Sequence, residues 1–191
     1  MTVIAVILWL LGILITVGAV VVAIVADRIR RPALALVALA PVAVGVLLLA
    51  FGIAVPLPVH ALWVLLALAM AALGIAAGSP ITVLVLRLAT PKTATGDNGG
   101  IVVPGSGAAR GTREVLRGGA IIGYLERLAI VGAIAVGHPE VVAAVIAIKG
   151  LGRFSELDSA EARERFIIGT LVSMIWAAVC GGLIVLARAT P

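Results

Sequence analysis

Two adjacent charged residues, Glu126 and Arg127, lie inside an apolar run that is long enough to cross a lipid bilayer. Charged side chains at bilayer depth are costly, so they normally face a packed bundle interior or a watery cavity and are paired there. A carboxylate in such a place can hold helices together, and it can also bind a proton or a cation. Glu126 is therefore the first candidate for chemistry in this chain, with Arg127 as the cation beside it.

Lys149 is the candidate partner for this carboxylate. Glu126 lies twelve residues before His138, and Lys149 lies eleven residues after it. At about 1.5 Å per helical residue, both are roughly 17 Å from that turn. The turn is short, so the two helices that it joins must be antiparallel, and their charges then lie at the same depth. This spacing predicts an ion pair between Glu126 and Lys149, or a triad that includes Arg127.

These charges have two interpretations. In the first, they form a buried structural network that fixes the register of the helices, with Lys149 and Arg153 extending toward the lipid headgroups. In the second, Glu126 is a proton or cation site whose affinity is tuned by Arg127 and Lys149. A functional role stays open because the desolvation of a buried ion pair can exceed its Coulomb attraction.

Other chemically capable residues give weaker signals. His60, His138 and Glu140 fall at one surface, but they lack the HExxH spacing and the third histidine of familiar zinc sites. Residues 105–110 are glycine-rich, yet they have neither the third glycine of a dinucleotide fingerprint nor the ending of a P-loop. Cys180 is the single cysteine, so a cysteine-rich metal site is excluded. The sequence predicts no metal, no nucleotide and no other cofactor.

The elements that must position these residues are membrane helices. Of the 191 residues, 63% are hydrophobic and 12% are charged, and the mean hydropathy is +1.28. Such a composition excludes a water-soluble globular fold and predicts an all-α, polytopic membrane bundle. The expected partners are the lipid bilayer and the anionic headgroups at its basic surface, so the net charge of +5 requires no nucleic acid.

Six apolar runs approach the roughly 20 residues that cross a bilayer. We predict one domain with six transmembrane helices, over residues 2–26, 33–55, 59–78, 118–137, 139–154 and 166–187. A serine and a proline follow Gly78, and they predict a kink or a break there. The polar composition of residues 89–117 predicts a flexible cytoplasmic loop. The fifth run is the weakest prediction, because Lys149 and Arg153 interrupt it.

The distribution of Lys and Arg predicts the orientation. The connections after the first, third and fifth runs carry three, five and three basic residues, whereas the other two connections carry none. Basic loops remain cytoplasmic in membrane proteins. We therefore expect a multi-pass protein of the bacterial inner membrane with both termini extracytoplasmic.

Two pairs of glycines have the GxxxG spacing at which membrane helices approach closely, Gly74 with Gly78 and Gly119 with Gly123. The spacing favours helix contacts within one chain at least as well as dimerisation. A second membrane protein or a second copy of the chain is therefore a candidate partner.

Three short stretches resemble a module of bacterial membrane proteins. They read GAIIGYLERL over residues 119–128, IKGLGRF over residues 148–154 and FIIGTL over residues 166–171. Together they match the family's Gly-x-Leu-Glu-Arg, Lys-x-x-x-Arg-Phe and Ile-Gly-Thr-Leu motifs, and the whole chain is similar to its small actinobacterial form. The resemblance covers residues 118–178 and implies a membrane location without a specific activity. It includes the charged motif positions Glu126, Arg127, Lys149 and Arg153.

These observations predict a non-enzymatic scaffold or accessory subunit whose bundle contains a buried Glu/Arg/Lys network. The alternative is a small ion- or proton-coupled transporter that uses Glu126. An enzyme is not expected, because no nucleophile, base and orienting group occur at a recognised spacing.

Overall fold

The computed structural model describes residues 2–89, 119–153 and 160–189, and within these ranges the regular structure is entirely helical. The elements are α1 (Thr2–Arg28), a 3-10 helix (Pro32–Ala38), α2 (Leu39–Ala50), α3 (His60–Ala89), α4 (Gly119–Ala135), α5 (Val141–Arg153) and α6 (Ala160–Ala189). The all-α prediction is confirmed for this part of the chain. The loop predicted over residues 89–117 lies outside the described residues apart from Ala89, and so does the glycine-rich stretch 105–110.

Four helical segments of the described chain are long and apolar enough to cross a membrane. They are Val3–Arg28, Pro32–Ala50, His60–Ala89 and Ala160–Arg188. Helix α4 has 17 residues and α5 has 13, so they rise about 25 Å and 20 Å, less than the roughly 30 Å of a hydrocarbon core. The described part of the chain is thus all-helical and has four candidate membrane spans, which indicate a membrane protein.

The helices have a common end, which we call the basic end, where α1 and α3 finish and α4 and α6 begin. The hydroxyl of Tyr124, near the start of α4, lies 3.5 Å from Asp27 Oδ2, near the end of α1. An ideal Cβ at Gly169, near the start of α6, would lie 3.4 Å from Cγ2 of Thr82, near the end of α3. Helix α5 runs back toward this end from the short turn that follows α4.

The core lies where α3 packs against α1, α4 and α6. Its fully buried side chains include Leu73 on α3, Val131 on α4 and Cys180 on α6. Trp176 adds a polar contact by donating from Nε1 to the carbonyl oxygen of Leu73 at 3.3 Å. Many large apolar side chains point outward instead, as expected where lipid takes the place of water.

The second helix is shorter than predicted. It begins as a 3-10 helix at Pro32 and ends at Ala50 rather than at residue 55. Gly52 has φ of 63°, a left-handed conformation that a helix cannot continue through. Pro56 and Pro58 follow, and neither can donate a backbone hydrogen bond.

Of the kink or break predicted near Gly78, the break does not occur. Helix α3 continues through Pro80 to Ala89, which adds eleven residues to the predicted span. A proline inside a helix leaves the carbonyl four residues earlier without its usual donor, and membrane bundles tolerate this where neighbouring helices bond the backbone. Arg127 of α4 donates from Nε to the carbonyl oxygen of Ile75, which is the residue before Ala76, whose carbonyl Pro80 leaves without its helical donor.

Helix α4 ends close to its predicted boundary through a glycine cap. Gly137 has φ of 89°, and the next amide, His138 N–H, donates to the carbonyl oxygen of Ala133 at 2.7 Å. This arrangement is the Schellman motif, in which a left-handed residue closes the helix. The predicted apolar run extends to residue 137, but the helix itself stops at Ala135 because the cap reverses the chain.

Within the described residues, the last two helices have bounds that differ from those of the predicted spans. Helix α5 covers residues 141–153 instead of 139–154. Helix α6 begins at Ala160, six residues before the predicted span, and continues past residue 187 to Ala189. Its polar first turn includes a Glu161 to Arg165 ion pair at 2.6 Å, four residues apart along the helix, a spacing that favours helix.

Candidate functional site

Arg127 lies at the junction of α3, α4 and α6 and is 3% exposed. Its guanidinium makes three hydrogen bonds to neutral groups on the two neighbouring helices. Nε donates to the carbonyl oxygen of Ile75 at 2.7 Å, Nη1 to Ser173 Oγ at 3.1 Å and Nη2 to Ser79 Oγ at 2.9 Å. The arginine therefore joins the three helices through hydrogen bonds to two hydroxyls and one backbone carbonyl.

Glycines on α3 and α4 make room for this side chain. An ideal Cβ at Gly78 would lie 2.3 Å from Cδ and 2.7 Å from Nε of Arg127, and one at Gly123 would lie 3.3 Å from Nη1. The ring of Tyr124 covers another side, with its centroid 5.0 Å from the guanidinium carbon. Helix α3 can approach this close because residue 78 has no side chain.

The predicted contact between Glu126 and Lys149 is present. Lys149 Nζ forms an ion pair with Glu126 Oε2 across the α4 to α5 contact, and the lysine nitrogen lies 5.9 Å from the ring of Phe166 on α6. The side chains of Lys149 and Glu126 are 18% and 12% exposed. The pair is thus mostly, but not fully, buried.

The predicted triad with Arg127 does not form. Residues 126 and 127 project about 100° apart around a helix, so Glu126 faces α5 while Arg127 faces α3 and α6. Among the described carboxylates, none makes an ion pair with Arg127. Asp27 and Glu126 act on it only at longer range, and the carboxylate of Glu126 is already paired with Lys149.

The remaining predicted positions have different surroundings. A Cβ at Gly74 would lie 3.0 Å from both Val131 Cγ2 and Cys180 Cβ, so Gly74 allows close packing of α3 against α4 and α6. Gly119 is the first residue of α4. Arg153 is the last residue of α5, and its side chain lies outside the described part of the structure.

Two further polar atoms are buried along the α3 to α6 contact, between the Arg127 site and the basic end. Thr82 Oγ1 and Arg165 Nε have no hydrogen-bond partner among the described residues. Thr82 is three residues beyond Ser79 on α3, and Arg165 is 9% exposed and eight residues before Ser173 on α6. Arg165 keeps one ion pair, from Nη2 to Glu161.

The histidines lie at the opposite end of the bundle, and each contacts a different neighbour. His138 Nδ1 lies 2.8 Å from Glu140 Oε1, whereas the ring of His60 packs against Trp63 with a centroid separation of 5.3 Å. A backbone hydrogen bond within Glu140 and the His138 side chain lower the pKa of the Glu140 carboxyl. Within the described ranges, no three potential ligands converge on a metal position.

Sequence reasoning missed the two serines that hold Arg127. The sequence before Pro80 is consistent with Ser79 as the N-cap of a new helix. In the structure, Ser79 lies inside the continuous helix α3 and accepts a hydrogen bond from Arg127. Ser173 gave a usable signal, because a hydroxyl in an apolar span normally has a polar partner in the bundle. That partner is 46 residues away in sequence, so no local spacing connects the two.

The described groups around Arg127 hold its guanidinium in place. In the described structure, the hydroxyls of Ser79 and Ser173 accept hydrogen bonds from a guanidinium, and a nucleophilic serine needs a base instead. Both histidines lie at the opposite end of the bundle. The site therefore combines one buried cation with neutral dipoles, next to a separate ion pair.

No protein-family model, curated protein or solved structure matches this chain. The function must therefore be inferred from the geometry of the described side chains. The two features that carry it are the Arg127 site among three helices and the ion pair between Glu126 and Lys149.

Proposed function

We propose that this chain is a non-enzymatic scaffold or accessory subunit of a membrane assembly. The observation that carries the proposal is that the charges of α4 are held by other helices of the same chain. Arg127 is bonded to α3 and α6, and Glu126 is paired with Lys149 of α5. Contacts of this kind fix the relative register of four helices, which suits a rigid surface for a second membrane protein or a second copy of the chain.

We further propose six crossings of the bacterial inner membrane, with the basic end cytoplasmic and both termini outside. The arginines of residues 28–31 and the exposed Arg163 belong to the basic end, and this bias supports the orientation. Helices α4 and α5 would supply two shorter crossings beside the four long ones. Membership of the motif-bearing bacterial family discussed above is part of the same proposal.

Cysteine labelling in intact cells tests this orientation. In a Cys180→Ala background, His138→Cys is expected to react with a membrane-impermeant maleimide, because the turn after α4 would face outward. Arg31→Cys is expected to react only after the cells are opened. Labelling of both positions from the same side would refute the six-crossing topology.

Substitutions in the ion pair test the scaffold role. Glu126→Gln removes the negative charge but leaves an amide of the same shape, so Lys149 remains as an uncompensated cation. We expect a loss of about 1 to 3 kcal/mol in unfolding free energy, below the figure for fully buried pairs because both side chains retain some exposure. Glu126→Gln combined with Lys149→Met is expected to recover part of that loss.

The control for this series is Glu164→Gln, which removes one carboxylate from an exposed position on α6. Its effect on stability is expected to stay within about 0.5 kcal/mol. A scaffold role requires that vesicles of the parent protein show no proton flux while Glu126→Gln is destabilised. Equal stability of Glu126→Gln and Glu164→Gln would contradict it.

A small ion- or proton-coupled transporter that uses Glu126 is the second candidate. The partial exposure of Glu126 and Lys149 favours it, because a transported ion must reach the carboxylate. In that case the parent protein would move protons in vesicles under a pH gradient. Glu126→Gln would abolish this movement without a loss of stability.

A further inference from the structure

The Arg127 site has the chemistry of an anion site. The guanidinium is nearly inaccessible, and its hydrogen-bond acceptors within the described structure are a carbonyl and two hydroxyls, with the ring of Tyr124 over one side. A buried charge normally has an opposite charge beside it. Here the nearest acid in sequence, Glu126, is taken by Lys149, and Asp27 is exposed at the end of α1.

Arg127 has more N–H groups than there are acceptors bonded to them in the described structure. A guanidinium carries five N–H groups, of which three donate to the described acceptors. Ser79 and Ser173 accept from it, and each keeps a hydroxyl hydrogen of its own to donate. A positive centre with N–H and O–H donors around it attracts an anion, since hydrogen bonds to an ionised acceptor are stronger than those to a neutral one.

Two unpartnered polar atoms belong to residues of α3 and α6 that lie between this site and the basic end. Thr82 Oγ1 and Arg165 Nε are buried, and neither has a partner in the described structure. They lie about one and two helical turns from the two serines along the α3 to α6 contact. Buried polar atoms are nearly always hydrogen-bonded, so these two atoms support an absent polar ligand in this contact. A third such atom, Trp63 Nε1, lies near the opposite end of α3.

We infer that the junction of α3, α4 and α6 binds a small monovalent anion of the size of chloride. Arg127 supplies the charge and Ser79 and Ser173 supply hydroxyl donors, while Thr82 and Arg165 are the nearest unpartnered polar groups toward the basic end. The close packing that Gly78 and Gly123 allow around the arginine favours a single-atom anion over a phosphate group. The bound anion would neutralise the one buried cation of the described chain that has no carboxylate partner of its own.

Chloride-dependent stability tests this inference. The full chain is purified in uncharged maltoside micelles, which contain no lipid phosphate, and thermal unfolding is followed while sodium chloride replaces sodium gluconate at constant sodium concentration. A ligand that binds only the folded state raises the unfolding midpoint in a saturable way. We expect chloride to raise the midpoint of the parent protein and gluconate to leave it unchanged.

Variants assign the effect to this site. Arg127→Gln is expected to abolish the chloride response, and Ser173→Ala is expected to weaken the apparent chloride affinity about tenfold, as for the loss of one hydrogen bond. Arg163→Gln removes an exposed cation from the same end of α6 and is expected to leave the response intact. No chloride-specific rise in the parent protein would overturn the inference, and so would an unchanged response in Arg127→Gln.

Direct binding of radioactive chloride keeps the test decisive if Arg127→Gln does not fold. Ser173→Ala and Ser79→Ala retain the arginine, so each is expected to bind chloride with reduced affinity. Undiminished binding by both variants would place the anion elsewhere and refute the site. A scaffold does not require the anion, so failure of this test leaves the scaffold proposal standing, and the flux and stability tests of Glu126 are independent of chloride.

Discussion

Replacing Gly78 by alanine tests whether the close approach of α3 to Arg127 holds the bundle together. The added Cβ would lie 2.3 Å from Cδ of Arg127, whereas ordinary contacts begin near 3.4 Å. Arginine or backbone must therefore move by at least about 1 Å. Cδ is in the middle of a side chain whose far end is held by Ser79 and Ser173, so the clash cannot be relieved by rotating a free terminus.

The expected loss of unfolding free energy in Gly78→Ala is the sum of three contributions. A shift of that size breaks the 2.7 Å hydrogen bond from Arg127 Nε to the carbonyl of Ile75. A hydrogen bond to a charged group contributes about 1.5 to 3 kcal/mol, and overpacking costs about 1 to 3 kcal/mol more. The better helix propensity of alanine offsets about 1 kcal/mol. We expect Gly78→Ala to lower the unfolding free energy by about 1.5 to 5 kcal/mol.

The assay is reversible unfolding in mixed micelles, followed by the fluorescence of the three tryptophans, of which Trp9 and Trp176 are buried. The matched control is Gly132→Ala on α4, because a Cβ at Gly132 meets no atom within 4 Å. That control is expected to be neutral or stabilised by up to about 1 kcal/mol through helix propensity. If Gly78→Ala proved as stable as Gly132→Ala, the role assigned to the Arg127 contact with α3 would be wrong.

Two further predictions concern the core and the outer turn. Gly74→Ala should lower the unfolding free energy by about 1 kcal/mol in the same assay, because its Cβ would lie 3.0 Å from Val131 and Cys180. This clash is milder than that of Gly78→Ala, so a larger loss of unfolding free energy than for Gly78→Ala would contradict the prediction. The lowered pKa of the exposed Glu140 means that its contribution to stability is complete above the ordinary value of 4.5 and disappears as pH falls through the lower folded value. Carbon NMR titration of Glu140 should show this lowered pKa, and His138→Ala should raise it toward 4.5; an unshifted carboxyl in the parent would refute the His138 contact.

Local sequence was enough to predict the ion pair of α4 and α5. The turn at residues 136–140 is short, and helical rise is constant, so the distance along each helix sets the depth of each charge. Glu126 and Lys149 have similar counts from the turn, and the structure brings them together. The glycine cap at Gly137 ends α4 within two residues of the predicted boundary for a similarly local reason.

The partners of Arg127 could not be predicted in this way. Ser79 and Ser173 lie 48 and 46 residues from it, and only the packing of α3 and α6 on α4 brings them within hydrogen-bond distance. Helix α3 also continues through Pro80, although proline disfavours the interior of an isolated helix; packed membrane bundles tolerate it.

The sequence alone predicted a helical membrane protein with charges inside its apolar runs, and the described residues are helical with four segments of spanning length. Composition and apolar run length decide whether a segment can leave water, and those quantities are summed along the chain without reference to its neighbours. Tertiary structure decided which charge meets which partner. Glu126 pairs with a lysine, whereas Arg127 donates to neutral groups. The two residues are adjacent on one helix and point to different helices, and the packing of those helices determines which groups they contact.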